Sequence, residues 1–127
     1  VKNFKKYYIV PAPPEEVYAA LTIQTGVELW TGSPAVMEAV PGSLFSLFDG
    51  NITGCNLEFL PGQKITQEWF FGEQEEPSLV TLKLHPHSKG TSVEVIQTNI
   101  PDEVYDEFTE GWDEMYFAAL IDYFTGE

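Results

Sequence analysis

The residues of this chain best suited to chemistry are few: two histidines, one cysteine and a handful of tyrosines. His85 and His87 flank Pro86. Two imidazoles so close could start a zinc site, but such a site needs three or four ligands with supporting groups. No further ligand falls into pattern with them, so they read as the end of a strand. Cys55 has no histidine in its pattern and reads as a small buried hydrophobe rather than a nucleophile. Acid–base catalysis needs a titratable group inside a pocket. The inward-facing positions offer Tyr116 and Tyr105, but no carboxylate or histidine. A tyrosine could donate a proton to an oxyanion, yet alone it makes a thin case for an enzyme. There is no glycine-rich phosphate loop and no metal motif of known spacing. No catalytic residue, metal ligand or cofactor is therefore assigned.

The stretch "KITQEWFF", Lys64 to Phe71, poses a different question. In an extended chain Ile65, Gln67 and Trp69 share one side, and Lys64, Thr66 and Glu68 share the other. The charged side faces water, which leaves Gln67 on the apolar side. A buried amide without partners costs several kcal/mol. Gln97 repeats the oddity, set beyond Val93 and Val95. Either the two amides tie a solid core together, or their face lines a cavity that has a few polar anchors. On the cavity reading the lining is Trp30, Phe45, Leu57, Gln67, Trp69, Gln97, Trp112, Met115 and Tyr116. Gln67 and Gln97 would then orient a ligand's polar end, and Trp69, Trp112 and Met115 would hold its apolar body.

These side chains need elements to position them. Lys5 to Val10 reads as a strand. In "PAPPEEVYAAL" Pro14 suits a first helical turn, and Glu15 and Glu16 suit its positive end. Gly26 to Trp30 reads as a second short helix. Strands are predicted at about 36–40, 43–48, 52–60, 64–71, 79–84 and 91–98. Asp49-Gly50 is the strongest hairpin signal. Short turns between successive strands give an antiparallel meander. Alternation predicts inward positions at Phe45 and Leu47; Cys55, Leu57 and Phe59; Ile65, Gln67 and Trp69; Val80, Leu82 and Leu84; Val93, Val95 and Gln97. After Pro101 the period changes. Tyr105, Phe108, Trp112, Met115, Tyr116, Ala119, Leu120 and Tyr123 form one stripe of a long helix. Glu107, Glu110, Asp113 and Glu114 take the other side, and Phe117 and Ile121 lie off the stripe. Gly111, costly inside a helix by about 1 kcal/mol, suggests a bend or a backbone that leaves room beside it.

Composition sets the outer limits. The 127 residues suit one domain, 1–127, able to bury a core without staples. No apolar run approaches the roughly 20 residues of a membrane span. The basic N-terminus "VKNFKKYYIV" reads as a strand, not a signal peptide. One cysteine permits no internal disulfide, which fits a cytoplasmic setting. Asn51-Ile52-Thr53 matches a glycosylation sequon that matters only in a secreted protein. The net charge is −14, and every basic residue is a lysine. Without arginine the chain has no bidentate fork for phosphate or carboxylate. Nucleic acids and anionic membranes would be repelled. The charge serves solubility, or offers an acidic surface to a basic protein partner. "EQEEP", Glu73 to Pro77, is the first place to look for such a surface.

Five stretches carry a resemblance: "APPEEVYAALT", "FDGNITGCNLEFLPGQKITQEWFF", "GTSVEVIQTNIP", "EGWDEMYFAAL" and the tryptophan after the first. Together they resemble the family of homologues of the activator of the 90-kDa heat-shock protein ATPase. That family lies within the SRPBCC (START-related, Bet v 1-like) superfamily. The resemblance runs from Tyr8 to about Phe124. It implies an α+β helix-grip fold: a curved antiparallel sheet of about six to seven strands around a long C-terminal helix, with two short helices after the first strand. It also implies a hydrophobic cavity between sheet and helix. Phe70 departs from the family, which commonly carries arginine after the tryptophan of "QEW". Eukaryotic members resemble co-chaperones in which such a domain follows a larger one, whereas small stand-alone members look bacterial. Superfamily relatives bind lipids, hormones or polyketides, and some are cyclases or aromatases. The expectation is a non-enzymatic domain binding a small hydrophobic ligand. The alternatives are a co-chaperone-like interaction module and a cyclase- or hydrolase-type enzyme.

Overall fold

A computed structural model describes residues 1–70 and 76–126. Most of the "EQEEP" loop therefore lies outside the described residues. Strand β1 (Lys2–Val10) leads into two short helices, α1 (Pro14–Thr22) and α2 (Gln24–Thr31). Strands β2 (Leu44–Leu47), β3 (Ile52–Leu60), β4 (Lys64–Phe70), β5 (Ser78–His87) and β6 (Gly90–Ile100) follow. They form one six-stranded sheet in the order β1-β6-β5-β4-β3-β2, antiparallel at every pairing. A long C-terminal helix closes the chain: α3 (Tyr105–Gly111), a π turn (Trp112–Tyr116) and α4 (Phe117–Thr125). This is the helix-grip architecture expected from the sequence. Sheet residues such as Val80, Leu82, Val93 and Val95 share one core with Trp112, Tyr116, Phe117 and Leu120 of the helix. Among the described residues no helix is long and apolar enough to cross a membrane.

Three local departures bear on the site. Strand β3 presents Gly54 and Asn56 to the core, not Cys55 and Leu57. The cause is a β-bulge. Asn56 pairs with Gln67 and Glu58 with Thr66, so Leu57 is an extra residue in the ladder. The bulge shifts every position before it by one, and Leu57 ends 38% exposed. Gly54 is required there: a Cβ would lie 1.9 Å from the Glu68 carbonyl oxygen and 2.7 Å from the Phe45 ring.

The second departure is the π turn. The Phe117 N–H bonds to the Trp112 carbonyl, five residues back. The extra residue changes the helix phase. Phe117, predicted off the stripe, is fully buried, while Met115 and Tyr123 are more than a third exposed. Both Trp112 and Tyr116 still face the sheet.

The third is the predicted strand at 36–40, of which only a Val36–Ser46 bridge forms. Its carbonyls are taken by side chains instead: Asn56 donates to Glu38, and Ser43 donates to Glu38 and Val40. The Asp49-Gly50 signal does mark the β2–β3 turn, though in an unusual form. Phe48, Asp49 and Gly50 all have positive φ, of 53°, 55° and 89°. Phe48 stays buried, edge-on to Trp30 at 5.8 Å.

Candidate functional site

The two inward glutamines lie at the centre of two hydrogen-bonded chains. The Trp69 indole N–H donates to Gln67 Oε1 at 2.9 Å, and Gln67 Nε2 donates to Asn56 Oδ1 at 2.9 Å. Asn56 Nδ2 passes the chain to Ser43 Oγ at 3.1 Å and to the Glu38 carbonyl at 3.2 Å. In parallel, the Trp112 indole donates to Gln97 Oε1 at 2.8 Å, and Gln97 Nε2 donates to Ser78 Oγ at 3.1 Å. Ser78 Oγ ends that chain on the Thr98 carbonyl at 2.6 Å. Both amides are thus satisfied by protein, as a buried polar group must be. They tie the core together, and what they orient is two tryptophans.

The oriented tryptophans stack on each other, ring centres 4.9 Å apart and 27° from parallel. Tyr116 packs against Trp112 at 4.7 Å and against Trp30 at 4.9 Å. The Trp30 indole is itself held by the Ala20 carbonyl at 2.8 Å. Beside this cluster lies a cavity of about 250 Å³, lined by Asn51, Ile52, Trp69, Glu107, Phe108, Gly111, Trp112, Met115 and Tyr116. Of the residues predicted from sequence, Trp69, Trp112, Met115 and Tyr116 line it. Trp30 stands behind Tyr116, Phe45 lies over Gly54, Gln67 and Gln97 sit within the core, and Leu57 points outward.

Sequence reasoning missed Asn51, Ile52, Glu107 and Phe108 as walls. The helix stripe included Phe108, but Glu107 was assigned to the solvent side, which a wall at the helix flank also satisfies. Gly111 did carry a signal. It sits just before the π turn, lines the cavity, and a Cβ there would meet no atom within 4 Å.

One polar side chain among the lining residues stands apart. Tyr116 is 3% exposed, and its hydroxyl has no hydrogen-bond partner among the described residues. Burial alone pushes the phenol well above its ordinary pKa, so it stays protonated. Among the described residues the one titratable companion in the lining is Glu107, an exposed residue.

The histidines are engaged elsewhere. His85 Nε2 meets Glu94 Oε1 at 2.9 Å, and His87 Nδ1 accepts the Lys89 N–H at 3.0 Å. Among the described residues no three His, Cys, Asp or Glu side chains cluster as a metal site would require.

Comparison with known proteins completes the picture. A family model described as "Activator of Hsp90 ATPase homolog 1-like protein" matches residues 11–125. The mouse activator of 90 kDa heat shock protein ATPase homolog 1 is 31% identical over 109 residues, covering 84% of this chain and 32% of the mouse protein. The Dictyostelium discoideum homologue is 32% identical over 102 residues, covering 78% of this chain and 27% of its own length. This chain therefore spans about a third of those relatives. An HSP90 activator from Plasmodium falciparum superposes with a TM-score of 0.82 at 26% identity, covering 93% of this chain and 92% of that one. The Aha1 dimer from Colwellia psychrerythraea superposes at 0.85 with 17% identity, covering 100% and 99%, a likeness of fold. The chain belongs to the family of Activator of Hsp90 ATPase homolog 1-like proteins.

Proposed function

We propose that this domain takes a small, largely apolar molecule into the cavity between the sheet and the C-terminal helix, and holds it without catalysis. The observation that carries the reading is Tyr116, a buried lining residue whose hydroxyl has no hydrogen-bond partner among the described residues. A buried hydroxyl left unpaired costs about 1–3 kcal/mol. A ligand that supplies the missing bond recovers it. The π turn adds support, because such turns recur at functional sites and this one places Trp112 and Tyr116 together. The volume lies just below the roughly 300–1,000 Å³ of drug-sized pockets, so a single ring with a short chain is the fitting size. The test is a screen of small aromatics, short lipids and polyketide fragments. Binding should quench tryptophan fluorescence and shift the Trp69 and Trp112 indole NMR signals. A broad screen that moves neither signal would defeat the proposal.

A second reading is a protein-interaction module of the co-chaperone kind. It draws on the relatives' names and on the helix surface, where eight carboxylates and no lysine fall between Asp102 and Asp122. Pull-down with a bacterial 90-kDa chaperone tests it. Capture should weaken as salt rises if the acidic surface makes the contact.

A further inference from the structure

We infer that the cavity selects small aromatic amines and rejects carboxylates of the same shape. The inference rests on the ligand-binding reading above and adds the charge and polarity of the ligand. Its two poles come from different observations. At the buried end stands Tyr116, a lining residue whose hydroxyl has no hydrogen-bond partner among the described residues and so calls for a hydrogen-bonding group on the ligand. At the exposed end stands the Glu107 carboxylate. Between them the rings of Trp69, Trp112 and Phe108 offer an apolar slot.

No lysine lines the slot among the described residues, and the lysines are placed elsewhere. Lys2, Lys5 and Lys6 lie on β1, at the opposite sheet edge from β2 and β3. Lys2 covers the Tyr105 ring at 4.9 Å, while Lys5 is paired with Glu94 and Lys6 with Asp113. Lys64 starts β4, five residues from Trp69, and is paired with Glu58. Lys83 stands opposite Lys64 in the ladder, and Lys89 lies in the β5–β6 turn. Asp106, Glu110 and Glu114 surround Glu107 along the same helix.

A carboxylate entering this slot would shed water, find no cation, and face like charge. An ammonium group would stay at the wet mouth, paired with Glu107 and close to ring faces that attract cations. A contact of this kind, partly screened by solvent, discriminates by about tenfold or more between opposite charges.

Three probes of equal ring and length separate the cases: tyramine, tyrosol and para-hydroxyphenylacetate, which are cationic, neutral and anionic. Each is titrated into the labelled full chain while the Trp69 and Trp112 indole signals are followed. Tyramine should bind most tightly, tyrosol less so, and the acid at least about tenfold more weakly than tyramine. Glu107→Gln should narrow that spread, and Glu107→Lys should reverse the order. Equal binding of all three, or preference of the wild type for the acid, overturns the charge inference and leaves the cavity reading standing. Silence with these three, when other screened molecules do bind, also overturns it. Silence with every molecule tried overturns both.

Discussion

The Trp112 indole N–H and the Gln97 side-chain oxygen meet at 2.8 Å, joining the C-terminal helix to strand β6 inside the core. The bond fixes the ring that walls the cavity from the helix side. Gln67 does the same for Trp69 from the strand side, at 2.9 Å. The amides act on the site indirectly, through the rings they hold.

Gln67→Leu should therefore destabilise the fold, although leucine is of similar size. The change strands the Trp69 N–H and the oxygen of Asn56, which is fully buried. The expected loss is about 2–4 kcal/mol, the scale of two unsatisfied buried groups. Urea unfolding of wild type and variant reads it directly. Equal midpoints and slopes would show that neither group needed the amide.

Gly54→Ala should cost about 3 kcal/mol or more, because its methyl group would collide with the Glu68 carbonyl, which is backbone and cannot turn aside. Gly111→Ala is the control, since open space surrounds that position. It should be neutral or gain up to about 1 kcal/mol from helix propensity. Thermal melts of the pair should part by several degrees, and coincident melts would refute the packing at Gly54.

How much of this was legible in the sequence depends on counting. The meander, both short helices and the long helix follow from periodicity, and the glutamines' inward direction follows from alternation. What alternation misses is an inserted residue. Leu57 in β3 and the π turn in the helix each add one residue, and each turns correctly typed neighbours to the wrong side. Asn56, the partner of Gln67, was hidden for that reason, and Phe117 likewise. Gly111 hints at the irregularity in the helix, but not at the extra residue itself, and nothing in the alternation of β3 marks Leu57 as inserted.

Glu94 supplies a pH prediction. Its side chain is 10% exposed and lies 3.3 Å from Lys5 and 2.9 Å from His85. The hydrogen bond with His85, and then Lys5, hold its carboxyl below the ordinary value of 4.5, against an opposing effect of burial. A carboxylate depressed on folding stabilises fully above its unfolded value, and that contribution is lost as pH falls through the folded one. Wild type should therefore keep its advantage over Glu94→Gln above the ordinary value of 4.5 and lose it as the pH falls below that value. Urea midpoints on both sides of that value measure it. A constant gap would assign the difference to packing.

The central claim, that the cavity wall holds a hydroxyl waiting for a ligand, is met most directly by the stability of Tyr116→Phe without any ligand. If the hydroxyl has no partner, its removal leaves unfolding free energy unchanged or raises it by up to about 1 kcal/mol. The same variant should bind molecules found by the screen roughly three- to tenfold more weakly. A fall in ligand-free stability of about 1 kcal/mol or more would mean that the hydroxyl is already satisfied within the protein, and would contradict the account.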